Sequence, residues 1–188
     1  MEKKDPDISY TTALAIIPST DEWSQIQNIR KSHDKAFLRW MPHINLLYPF
    51  IPETNLPDLV ETLKKGLADT KSFEVTLAQF QYFTHSRTSA TVYLRPDTPN
   101  KTEITDLYKK IITLSPLFEP LVSRFAFDFS PHLSVGQWRG EVGAKEAIRI
   151  MSNNFTPIRF AVDKIYVVTR TDTTPFEIKY EIPLEILQ

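Results

Sequence analysis

The chain has no cysteine, only 4 glycines and no long apolar run, and its charges nearly cancel. The absence of cysteine excludes disulfides, thiolate zinc sites and a cysteine nucleophile. So little glycine excludes collagen and glycine-rich low complexity. With 22 Lys and Arg against 23 Asp and Glu, the net charge is −1, without the basic excess with which proteins hold long duplex nucleic acid. A small or end-bound phosphate ligand, a short anionic substrate held by a local positive cleft, suits such a chain better. The opening Met1-Glu2-Lys3-Lys4-Asp5-Pro6-Asp7 lacks the apolar stretch of a signal peptide, and Ala13 to Ile17 is far too short to span a bilayer. These features read as a cytoplasmic or nuclear protein with no membrane partner.

What is present is an ordinary globular composition, 41% hydrophobic and 24% charged over 188 residues. That length makes one domain or two small lobes sharing a core, and residues 1–188 read as a single bilobal domain and a monomer. Thr11 to Ile17 is β-prone and stops at Pro18, and Ser19-Thr20-Asp21-Glu22 then offers helix-capping chemistry for a helix carrying Trp23, Ile26 and Ile29. That helix gives way to the charged segment Lys31 to Lys35 and then to Phe37-Leu38-Arg39-Trp40, which reads as a loop. His43 to Tyr48 is a strand confined by Pro42 and Pro49. Leu56, Leu59, Val60, Leu63 and Leu67 keep the helical i, i+3, i+4, i+7 spacing, so Asn55 to Leu67 is an amphipathic helix. Phe73 to Phe83 and Thr88 to Arg95 alternate as a hairpin, and Lys101 to Leu114 is helical. The alternating Phe125, Phe127 and Phe129 read as core. Pro131 to Val135 is a strand, Val142 to Met151 a helix, Phe160 to Arg170 a strand and Phe176 to Ile182 the last strand. Strand, helix, strand, strand thus occurs twice. The expected fold is α+β: two pseudo-symmetric lobes, each a mainly antiparallel sheet with helices packed outside, and a catalytic cleft between them.

One echo between the halves carries chemistry. Trp40-Met41-Pro42-His43-Ile44-Asn45-Leu46 matches Phe129-Ser130-Pro131-His132-Leu133-Ser134-Val135 position by position: aromatic, x, Pro, His, aliphatic, small polar, aliphatic. Because strand side chains alternate, His43 and Asn45 share one face while Ile44 and Leu46 face the core, and His132 and Ser134 repeat the arrangement. Two imidazoles with ordinary pKa values near 6.5 can act as base and acid in phosphodiester chemistry at neutral pH. Asn45 and Ser134 can donate hydrogen bonds to the non-bridging oxygens. Neither a metal nor a cofactor is required.

With these residues the chain resembles the 2H phosphoesterase superfamily, which includes RNA 2′,5′-ligase-like proteins and cyclic phosphodiesterases and whose mark is two His-x-Thr/Ser motifs in duplicated lobes. The resemblance covers the whole chain in element order. Its specific part is Pro42-His43-Ile44-Asn45-Leu46-Leu47-Tyr48-Pro49-Phe50 together with His132-Leu133-Ser134-Val135-Gly136-Gln137. It implies a hydrolase acting on 2′,3′-cyclic phosphates or 2′,5′-phosphodiesters, or processing RNA ends, with His43 and His132 catalytic and Ser134 binding phosphate. Asn45 departs from the pattern, and the alternative reading is a nucleotide or RNA-end binding module that has lost turnover there. Around the motifs, Trp138 shares the face of His132 and Ser134 if that strand continues, where it offers a base a stacking platform. Tyr48 and Arg39 complete the expected substrate-binding set. His33 and His85 lack the motif's flanks and read as solvated residues, His85 at most at the rim.

Overall fold

The computed structural model describes residues 8–114 and 129–186. The strands among them are β1 (Thr12–Ile16), β2 (Ile44–Leu47), β3 (Phe73–Ser86), β4 (Ser89–Asp97), β5 (Leu133–Trp138), β6 (Ile158–Val162), β7 (Lys164–Thr169) and β8 (Glu177–Pro183). The α-helices are α1 (Trp23–His33), α2 (Leu56–Leu67), α3 (Glu103–Leu114) and α4 (Gly140–Ser152). Two four-stranded sheets form, ordered β2-β1-β7-β8 and β5-β4-β3-β6, and every strand pairing within them is antiparallel. This is the expected two-lobed α+β architecture. In the two orders, β2 and β5 occupy the same edge position, and these edge strands approach each other where the sheets meet.

The core explains why the elements form. All five periodic apolar residues of α2 are buried, and Pro57 sits in its first turn, where a missing N–H is tolerated. Leu14 and Ile16 of the first sheet and Val75, Leu77, Val92 and Leu94 of the second join the helices in one continuous cluster. Burying such a side chain contributes roughly 1.5–3 kcal/mol. A smaller cluster, Ala13, Ala15, Ile17, Trp40, Val168 and Phe176, lies on the other face of the first sheet. Tyr108 stacks on Phe129 at 3.9 Å, while Phe125 and Phe127 lie outside the described residues.

Three expectations need correction. The stretch Phe160 to Arg170 is not one strand: it breaks at Asp163, with β6 in the second sheet and β7 in the first. The cause is a skip in the alternation, because Ile158, Phe160 and Val162 are buried at even numbers and Ile165 and Val167 at odd ones. Lys31, Ser32 and His33 do not follow the helix but form the last turn of α1, where the Arg30 and Lys31 charges complement the helix dipole. The third correction concerns Trp138 and belongs to the site.

Candidate active site

His43 and His132 immediately precede the edge strands β2 and β5. Each is tied down the same way: His43 Nδ1 donates to the Met41 carbonyl at 2.7 Å and His132 Nδ1 to the Ser130 carbonyl at 2.8 Å. A carbonyl only accepts, so the proton of each neutral ring sits on Nδ1 and Nε2 carries the lone pair. Neither Nε2 has a partner among the described residues, and neither is sealed from solvent. The sequence echo is therefore a geometric echo: a bond to the carbonyl two residues back, a fixed tautomer and a free Nε2.

The register continues the echo. Asn45 pairs with Ala15 and Leu47 with Leu14, so Leu46 is an extra, bulged residue; Ser134 pairs with Tyr93 and Gly136 with Val92, so Val135 is bulged in the same way. A bulge shifts the alternation by one place and re-aims the side chains beyond it. The side chain after Asn45 on the site face is consequently Tyr48, and the one after Ser134 is Gln137. Trp138 is turned to the opposite face, level with buried Ala90, where it packs against the core and stacks on His33 at 4.6 Å. The expected alignment of Trp138 with His132 assumed unbroken alternation and does not hold.

The imidazoles have different surroundings. His43 stacks on Trp40 at 4.1 Å, Trp40 on Phe176 at 3.6 Å, and the Arg170 guanidinium lies 5.5 Å from the centre of the Phe176 ring. Tyr48, 38% exposed, meets Trp40 edge-on at 5.3 Å. Behind this column Arg30, 1% exposed, donates from Nε to Asp34 Oδ2 at 2.7 Å and from Nη2 to the Trp40 carbonyl at 2.8 Å. Burial lowers the pKa of His43 to about 4; its bond to the Met41 carbonyl and the charge of Asp34 act upward, while Arg30 and His132 act downward. The ring edge stays open to solvent, but the residue lies deep between the lobes, so the neutral form dominates. His132 meets the edges of Phe83 at 5.1 Å and Tyr93 at 5.4 Å, and its pKa is lowered by burial, against its bond to the Ser130 carbonyl. The two imidazoles are near enough that a proton on His132 disfavours one on His43.

The expected phosphate ligands flank them. Ser134 Oγ has no partner among the described residues. Asn45 Oδ1 is turned inward without a hydrogen bond, which leaves the amide nitrogen as the end with solvent access. Arg39 is exposed and forms no ion pair with a described residue, and its backbone carbonyl accepts the Phe176 N–H at 2.8 Å. His85 bonds Thr91 Oγ1 at 2.9 Å, two residues from Tyr93 on β4, and His33 covers Trp138. No group of three His, Asp or Glu side chains among the described residues is placed to hold a metal ion.

Residues 18–174 match the sequence profile of the 2'-5' RNA ligase superfamily. The chain belongs to that superfamily. Its members are 2H phosphoesterases and RNA ligase-like proteins, so the superfamily supports a phosphoesterase of RNA or nucleotide ends. TT0787 of Thermus thermophilus superposes with a TM-score of 0.59 at 16% identity, over 93% of this chain and 97% of that one. E. coli LigT in complex with 3'-AMP gives 0.56 at 16%, over 95% and 99%. Kluyveromyces marxianus Usb1 gives 0.51 at 11%, over 94% and 99%. At these identities the likeness establishes the fold. No curated protein sequence matches the chain.

Within this superfamily fold, sequence reasoning missed Arg30, Asp34, Phe83, Tyr93, Gln137 and Phe176. Gln137 Oε1 accepts the Lys35 N–H at 3.0 Å, which ties the end of α1 to the second motif. Only Gln137 carried a usable signal, its place five residues after His132, matching Tyr48 after His43.

Proposed function

We propose that the protein is a metal-independent phosphoesterase that cleaves a 2′,3′-cyclic phosphate or a 2′,5′-phosphodiester at a nucleotide or RNA end, with His43 and His132 as the acid–base pair. The observation that carries this reading is the doubled arrangement in which Nδ1 is pinned and Nε2 is free. His43, held neutral down to about pH 4, suits the general base: its Nε2 takes the proton of the attacking water as oxygen bonds to phosphorus. A single proton shared by the pair rests on His132, which passes it from Nε2 to the departing oxygen as the P–O bond breaks. The Ser134 hydroxyl and the Asn45 amide nitrogen donate to the non-bridging oxygens, strengthening as negative charge builds. Tyr48 and Arg39 border the nucleoside. Trp138, on the far face of β5, serves substrate by packing α1 against that strand.

Support for a nucleotide-sized ligand comes from E. coli LigT, whose structures hold 3'-AMP and ATP. The test is the pH dependence of kcat/KM, which reports the free enzyme. The wild type should be most active between about 4, where His43 gains a proton, and an alkaline limit below the ordinary imidazole value of 6.5, because burial makes His132 give up its proton earlier. In His132→Ala the alkaline limb should disappear along with most activity. A wild-type profile flat from pH 4 to 8 contradicts the assignment.

A further inference from the structure

The site face of the second sheet continues past His132. On β4, Thr91, Tyr93 and Arg95 alternate on the face opposite buried Val92 and Leu94. Leu94 pairs with Leu133, so one further step of the register sets Arg95 level with His132. Beside it lies a cavity of about 300 Å3 lined by Gln81, Tyr93, Arg95, Lys101 and Ser130, the last being the residue whose carbonyl holds His132. Asp97 also lines it, so two cations face one carboxylate. Arg95 is half-buried, and neither it nor Lys101 forms a hydrogen bond or ion pair with a described residue. A guanidinium partly withdrawn from water and left unpaired is costly unless an anion completes its fork. At the other end of the face, Phe83 stacks on Tyr93 at 4.3 Å, an aromatic surface running into the charged one.

We propose that this cavity binds a second phosphate of the substrate, the one on the 5′ side of the nucleoside whose phosphate is cleaved. The preferred substrate is then an RNA end, or a nucleotide bearing a 5′-phosphate, rather than a bare nucleoside cyclic phosphate. This rests on the phosphoesterase reading. Arg95 grips the phosphate with two N–H groups and Lys101 adds charge at the rim, so the two cations outweigh the Asp97 carboxylate, which opposes an anion.

The experiment compares adenosine 2′,3′-cyclic phosphate, its 5′-phosphorylated form and a dinucleotide ending in the same cyclic phosphate, in the wild type, Arg95→Gln and Lys101→Gln. The readouts are the ratio of kcat/KM with and without the second phosphate and the same ratio for equilibrium binding. One or two charge-assisted hydrogen bonds give a wild-type preference of about ten- to hundredfold. Arg95→Gln should bring that ratio close to one and exposed Lys101→Gln should lower it. If the 5′-phosphate alone confers the preference, a terminal phosphate suffices; if only the dinucleotide does and both variants lose it, the diester is the ligand. Turnover without any phosphate preference, or a preference both variants keep, overturns the cavity assignment and leaves the phosphoesterase reading intact. Phosphate-dependent binding that Arg95→Gln abolishes, with no turnover, sustains the cavity and overturns the phosphoesterase. Neither turnover nor phosphate-dependent binding overturns both.

Discussion

Lowering the pH from 7 to 5 destabilises the folded protein through His43. The unfolded chain binds this proton near 6.5, the folded one only near 4. Between those values the unfolded state holds more protons, so stability falls as the pH falls and is fully present only above about 6.5. The whole difference corresponds to about 3 kcal/mol, of which about 2 kcal/mol is lost between pH 7 and 5. Solvent at the ring edge trims this toward about 1 kcal/mol. Since other groups titrate as well, the measurement is a difference: urea unfolding at both pH values for the wild type and for His43→Asn, whose amide nitrogen can replace Nδ1 at the Met41 carbonyl. The wild type should lose about 1–2 kcal/mol more than the variant. Curves falling in parallel, within about 0.5 kcal/mol, would refute the claim that burial keeps His43 neutral.

The remaining predictions concern what holds the site. Asp34→Ala leaves the Arg30 guanidinium buried without its carboxylate and should cost about 3–5 kcal/mol by urea unfolding. A loss under about 1 kcal/mol would show that the Gln27 and Trp40 oxygens satisfy Arg30 by themselves. At Gly136, φ is +154° and an added Cβ would come within 2.6 Å of His33 Cβ, so Gly136→Ala should cost about 2–4 kcal/mol and lower activity as β5 shifts. At Gly143, inside α4, a Cβ meets nothing nearer than 3.7 Å, so Gly143→Ala should be neutral or stabilising by up to about 1 kcal/mol in the same assay.

Both histidine motifs were legible because a strand has a period of two and a proline marks each start, so local chemistry alone set His43 and His132 at the starts of two strands. The bulges were not legible. Leu46 and Val135 are apolar residues in apolar strands, and an extra apolar residue looks like the next step of the alternation until its partner strand is known. Trp138 was misplaced for that reason, whereas Gln137 and Tyr48 gained the site face. The break at Asp163 was written in the sequence as a change of parity, although the continuous β-prone run hid it. Arg30 and Asp34 look like an ordinary exposed i, i+4 charge pair, and what buries them is the packing of α1 on β5, a contact between residues about a hundred positions apart. The stacking of Trp40 between His43 and Phe176 likewise joins segments with no sequence link.

The central claim is that two imidazoles without a metal carry out phosphoester cleavage. Its most direct test is product analysis in the presence of chelator, on 2′,3′-cyclic nucleotides and on short 2′,5′- and 3′,5′-linked oligoribonucleotides, with the wild type, each single alanine variant and His43→Ala, His132→Ala together. Because the pair acts as a unit, each single substitution should cost a large factor and the double one little more. Chelator-resistant turnover that vanishes in the double variant is the predicted result. Turnover that persists in the double variant, or that chelator abolishes in the wild type, would contradict it.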